Sequence, residues 1–228
     1  MNRFVLAFIA VVAGLLLGFW IVSSQTAAMA KRKHVDPSED PTNAIVGPEK
    51  IHPVTQDLAS AAAKLARSQA PDFNLQGDDG KSYSLKDLAR TKPVLLFFIV
   101  DSCPCCVTAR PYIDRVQNAY KDSVTVLGVI NADGPTAKTW ARNNSANFPL
   151  LLDPSKDTIH AYHAKRGTYM ALVAPGGTID KVFPGYSQGL IKDLGERIAN
   201  LAGVQPRHIE VADLPKQDTT GCEFDKPR

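Results

Sequence analysis

A chain of 228 residues holds one domain with extensions, or two small domains. With 44% hydrophobic residues, 21% charged residues, 15 glycines and 16 prolines, it is neither collagenous, coiled-coil nor wholly disordered. The formal charge is +3, and three positives sit together at Lys31, Arg32 and Lys33. The remainder is close to neutral and lacks the basic face that nucleic-acid binding requires.

An uncharged run of 19 residues, FVLAFIAVVAGLLLGFWIV, extends from Phe4 to Val22. As a helix it would span about 28 Å, close to the hydrocarbon thickness of a bilayer. Residues 1–30 are therefore expected to be an N-terminal transmembrane anchor. The small-residue pattern Ala28-Met29-Ala30 supplies the alternative, a cleaved signal segment. Arg3 and Lys31 to Lys33 pull the orientation in opposite directions. An apolar N-terminal segment before a large soluble domain usually translocates that domain, so the remainder is expected on the extracytoplasmic, periplasmic side. Residues 31–54 carry four prolines and no sustained periodicity, as a linker does.

From Thr55, TQDLASAAAKLARSQ has Leu58, Ala62 and Leu65 at helical spacing. APDFNL and KSYSL around Gly77-Asp78-Asp79-Gly80 predict a hairpin, and the apolar run PVLLFFIV over 93–100 predicts a buried strand. A helix is expected over 107–120 with Pro111 inside it, then a buried strand at 123–130 and a helix at 135–144. A strand at 148–152, a helix at 155–163, strands at 169–173 and 178–182, and a helix over 190–201 closed by Gly203 complete the pattern. Residues 55–203 thus form an α/β domain with a central sheet, and 204–228 a tail that carries Cys222.

Three of the four cysteines fall within four positions, Cys103-Pro104-Cys105-Cys106, where a buried strand gives way to a helix. A thiol at the first turn of a helix faces unpaired N–H groups and the positive end of the helix dipole, which favour thiolate. Cys103 is therefore the expected nucleophile. Cys106 lies one turn on and on the same side, where its sulfur can close a disulfide with the first, so it is the expected resolving thiol. Pro104 suits the helix start, because its fixed φ is preset and its missing N–H has no partner to lose. This chemistry requires neither a cofactor nor a metal.

Residues 71 to about 203 resemble the redoxin branch of the thioredoxin-like superfamily, related to AhpC/TSA proteins, and in particular the membrane-tethered TlpA/ResA-like thiol-disulfide oxidoreductases. APDFNLQGDDGKSYSLKDL resembles that family's opening hairpin, LLFFIVDSCPCC its strand and active-site turn, and Pro111 the proline that kinks its active-site helix. The resemblance implies an α/β thioredoxin-like fold, with a central mixed sheet flanked by helices, and exchange with an exported disulfide or thiol protein. It also implies an electron donor or acceptor at the membrane. Some positions depart from the pattern. Ser102 replaces the usual aromatic, and Phe97 replaces the buried acid of thioredoxins proper. The substrate-facing loop, with its cis-proline, would fall at Arg166, Gly167 and Thr168, where RGTY resembles peroxiredoxins instead. A thiol peroxidase with antioxidant activity is thus the alternative, but Val100 stands where a peroxiredoxin places threonine.

Cys105 and Cys222 are the accessory thiols. Cys105 is either a tolerated third thiol, the partner of Cys222, or a soft-metal ligand beside Cys103 and Cys106. The even thiol count motivates a tail folded back towards the active site. His160 and His163, without a third ligand in view, are expected as surface residues, and Arg110 is expected to face water.

Overall fold

The computed structural model describes residues 52–226. The apolar run, the cleavage pattern and most of the expected linker lie outside the described residues. Among those described, no helix is long and apolar enough to cross a membrane.

The chain opens with a two-residue strand, β1 (His52–Pro53), at the end of the segment expected as a linker, and continues into helix α1 (Gln56–Lys64). α1 stops short of the expected Gln69 because the Arg67 N–H is drawn to the Ile179 carbonyl at 2.7 Å, with Arg67 at φ +67°. The hairpin β2 (Asn74–Gln76) and β3 (Ser82–Ser84) follows. A short helix, α2 (Leu85–Leu88), which sequence periodicity did not reveal, is started by the Ser84 hydroxyl accepting from the Asp87 N–H.

β4 (Val94–Ile99) is buried on both faces, as its unbroken apolar run demands. α3 (Pro104–Tyr120) carries the chain across to β5 (Thr125–Ile130), and α4 (Gly134–Asn143) carries it to β6 (Leu150–Leu152). Both strand pairs are parallel, which requires such crossovers. After α5 (Asp157–Ala161), β7 (Met170–Val173) returns antiparallel to β4 and is followed by β8 (Ile179–Phe183). The mixed sheet therefore runs β6-β5-β4-β7-β8. α6 (Gln188–Ala202) packs on α3 and ends at Gly203, whose φ of +66° supplies the left-handed cap. The tail adds β9 (Thr219–Thr220), which pairs with β1.

Phe97 and Phe98 point to opposite faces of β4. Phe97 meets the edge of Phe148 at 6.3 Å, and Phe98 meets Tyr162 at 5.5 Å and Tyr169 at 6.2 Å. Phe97 thus fills a hydrophobic layer, with no acid at that position. Phe98 is fully buried, so Phe98→Ala should cost about 3–5 kcal/mol of stability, read as a lowered urea midpoint at unchanged slope.

Candidate active site at the start of α3

Four helices start on oxygen: Thr55, Ser84, Asp133 and Ser187 each accept from a first-turn N–H. α3 starts on sulfur. Cys103 is its N-cap in extended backbone, φ −88° and ψ 114°, Pro104 fills the next position, and no side-chain cap bond forms. The helix begins three residues before the expected 107, so all three clustered cysteines belong to its start. The positive end of α3 is left to act on the Cys103 sulfur.

None of the four cysteines is in a disulfide, and all four meet here. The S–H groups of Cys105 and Cys106 donate to Cys103 Sγ, and the backbone N–H of Cys222 donates to it at 3.2 Å. These donors, Cys105 foremost, hold Cys103 far below the ordinary thiol range, although burial opposes them. The donors move the other way. Cys105 is raised by giving its hydrogen to Cys103 and by burial. Burial, and then the same donation, raise Cys106. Cys222 is pushed up to about 11 by burial and then by Cys103. One thiolate is therefore stabilised at the expense of three thiols.

The stability of the dithiol form should follow. Between the depressed Cys103 value and the unfolded thiol value of about 8.5, the unfolded chain binds the extra proton, so stability rises with pH. That gain is complete above the unfolded value and is lost as pH falls through the folded one. Above about pH 8.5 the three raised thiols keep protons that the unfolded chain gives up, and stability falls. Urea unfolding of the reduced protein across pH should show this maximum, and the quadruple Cys→Ser variant should lack it.

Cys106 is completely buried, and the nearby backbone amides of Val100 and Thr168 only partly offset the upward push of burial on its thiol. A Cβ on Gly167 would lie 2.5 Å from that sulfur, so only glycine fits there. Thr168 takes φ +65°, rare for a β-branched residue, and donates its N–H to the Phe98 carbonyl at 2.9 Å. No cis peptide bond occurs among the described residues.

The loop expected to face substrate faces the chain's own tail. Gly167 N–H donates to the Cys222 carbonyl at 2.8 Å, Gly221 N–H to the Gly167 carbonyl at 2.9 Å, and Phe224 N–H to the Lys165 carbonyl at 3.1 Å. Arg166 grips the Gly221 carbonyl at 3.2 Å and the Glu223 carboxylate. Upstream, Thr219 exchanges two backbone bonds with Tyr186. The tail thus folds back on the active site, where Cys222 lies beside Cys105 and its N–H also reaches Cys103. Under it Cys103 is 1% exposed. Beside it an open cleft is lined by Ser102, Cys103, Pro104, Val107 and Trp140.

Arg110, expected to face water, is half-buried against the Asp114 carboxylate and the Ser145 carbonyl, and acts on neither thiol. Pro111 lies inside α3 and cannot donate to the Val107 carbonyl. His160 is an exposed partner of Asp225 at 3.1 Å, and His163 is exposed at a φ of +52°. Sequence reasoning missed His52, which β1 brings beside Cys105 and Cys222. No local motif marks it.

A mixed five-stranded sheet whose central strand delivers a dithiol to a helix start defines a thiol-disulfide oxidoreductase of the redoxin class, with a thioredoxin-like fold. Residues 66–182, just over half of the chain, match the AhpC/TSA family, and the chain belongs to it. It is 28% identical over 146 residues to the thiol-disulfide oxidoreductase ResA of Halalkalibacterium halodurans, covering 63% of this chain and 81% of that one. It is 31% identical over 87 residues to the chloroplastic peroxiredoxin Q of Triticum aestivum, covering 38% and 40% respectively. Among solved structures, the thioredoxin domain of a Bacteroides vulgatus thiol-disulfide oxidoreductase superposes with a TM-score of 0.53 at 25% identity, covering 58% of this chain and 97% of that domain.

Proposed function

We propose that Cys103 and Cys106 carry a dithiol-disulfide exchange on exported protein substrates. The observation that carries this reading is the convergence of donors from three residues, Cys105, Cys106 and Cys222, on the uncapped Cys103 sulfur at the start of α3. The Cys103 thiolate attacks a substrate disulfide, forming a mixed disulfide and releasing one substrate sulfur as thiolate. Cys106 then attacks Cys103 Sγ and the second substrate sulfur departs, taking the Cys106 proton. The substrate gains two electrons and the Cys103–Cys106 pair loses them. Run backwards, the same steps oxidise a substrate dithiol.

The remaining parts follow the sequence reading. Residues 1–30 anchor the chain, the segment from 31 links it to β1, and the redoxin domain of 55–203 with its 204–228 tail works on the extracytoplasmic side. There the surroundings are oxidising, so net reduction draws electrons from a donor at the membrane. The peroxidase alternative has support in the peroxiredoxin relative. Against it stands Val100, which offers no hydroxyl to peroxide at the position expected of threonine.

Insulin reduction and hydrogen peroxide consumption, each with dithiothreitol as reductant, test the choice. Insulin reduction well above the reductant alone, without faster peroxide loss, supports disulfide exchange. Peroxide loss without insulin reduction overturns it.

A further inference from the structure

The exchange chemistry forms and breaks bonds only at Cys103 and Cys106; Cys105 and Cys222 serve it as hydrogen-bond donors, and His52 takes no part. These three come from the start of α3, the tail and the first strand. One side-chain donor atom of each lies within 4.8 Å of the other two. Two donors bound to one zinc-sized ion stand about 3.4–4.0 Å apart, given bonds of about 2.0–2.3 Å. Closing the present triangle onto an ion thus needs shifts of under about 1 Å.

The placement is held by backbone pairing rather than by chance contact of side chains. β1 and β9 set His52 opposite Thr220, two residues before Cys222. The bonds between Cys222 and Gly167, and between Gly221 and Gly167, then fix the tail beside α3. Cys105 is buried and Cys222 half-buried, while the half-exposed His52 edges a surface cleft. Cys103 Sγ, 3.2 Å from the Cys222 nitrogen, stands outside this triangle but near enough to be drawn in as a fourth ligand.

We propose that the dithiol form of this protein binds one soft d10 cation, copper(I) or zinc(II), through Cys105 Sγ, Cys222 Sγ and the His52 imidazole, with Cys103 Sγ completing the shell. Two thiolates and an imidazole select such ions over hard cations such as magnesium or calcium. Binding releases the Cys105 and Cys222 protons, with no change of oxidation state in metal or sulfur. A bound ion would tie the N-terminal strand and the tail to α3, closing Cys103 off from disulfides.

The ligand set shares Cys103 with the exchange pair but leaves out Cys106, which makes the two separable at Cys106. The full chain, reduced and anaerobic in detergent micelles, is titrated with copper(I) against bathocuproine disulfonate and with zinc(II) against 4-(2-pyridylazo)resorcinol. One equivalent of one cation should be held, and the two arms identify which. Cys105→Ser, Cys222→Ser and His52→Ala should each weaken binding at least tenfold. Cys106→Ser should bind within threefold of the parent while losing insulin reduction. Circular dichroism confirms that each variant is folded, and if His52→Ala fails to fold, His52→Gln takes its place. The proposal is overturned if neither cation is held at one equivalent, or if Cys222→Ser and the His52 variant bind as the parent does. Loss of the metal in Cys106→Ser also overturns it, because the ion then sits on the exchange pair.

Discussion

Cys103→Ser should bring insulin reduction down to the reductant-only background, a fall of about 10³-fold or more, whereas Cys106→Ser should stop the reaction halfway. The serine hydroxyl ionises far above neutral pH and forms no disulfide, so the donors around position 103 have nothing to stabilise. Cys106→Ser keeps the attacking thiolate and removes only the group that releases the mixed disulfide. Intact-mass measurement after mixing with a disulfide substrate should then find a stable adduct on Cys103. Cys105→Ala separates a third contribution. It removes the largest of the donors that lower Cys103, so the alkylation rate at pH 6 should fall about tenfold, with the loss recovered as pH rises. Full insulin reduction by Cys103→Ser, or a Cys106→Ser protein that never traps substrate, would remove both residues from their assigned roles.

What the sequence made legible depended on how local each signal was. β4 could be read because six consecutive apolar residues admit few other fates, and the start of α3 because Pro104 and the cysteine spacing are local signals. The long helices and the order of strands followed from periodicity and turn residues in the same way. The active site's cover was not local. Cys222 N–H reaches Cys103 Sγ across 119 positions. The even thiol count pointed to a tail folded back with Cys222 beside Cys105, not to a Cys222 N–H on Cys103, and nothing in the tail announces its backbone bonds to Gly167. His52 was harder still, since a two-residue strand has no periodicity and β1 exists only because β9 pairs with it. Thr168 shows the same limit from another side. Its positive φ is imposed by the Phe98 carbonyl and the buried Cys106, not by any preference of threonine for that conformation.

Gly221→Ala should uncover Cys103 while leaving the sheet intact. A Cβ at this position would lie 2.7 Å from the Gly167 oxygen, 2.8 Å from its carbonyl carbon and 3.1 Å from its Cα. All three are backbone atoms, fixed between Arg166 and Thr168, so no side chain can swing aside and the tail itself has to move. Moving it breaks the Gly221–Gly167 and Gly167–Cys222 bonds, each worth about 1 kcal/mol net. Since about 1.4 kcal/mol is a tenfold change in a population, the open form should rise tenfold or more. Alkylation of Cys103, which is 1% exposed under the tail, should accelerate by the same factor if it proceeds through that open form. The Cys105 and Cys106 donors remain in α3, so the thiolate should persist and the gain should be one of access. Gly189→Ala is the matched control, because its nearest neighbour is the Ser187 hydroxyl at an ordinary 3.8 Å. Peptide-resolved mass spectrometry of alkylated Cys103, with hydrogen exchange at residues 221–224, measures both quantities. Unchanged alkylation together with undiminished protection in Gly221→Ala would mean that the tail does not control access to Cys103. Faster alkylation with lost protection would make it a cover that an incoming disulfide has to displace before exchange begins.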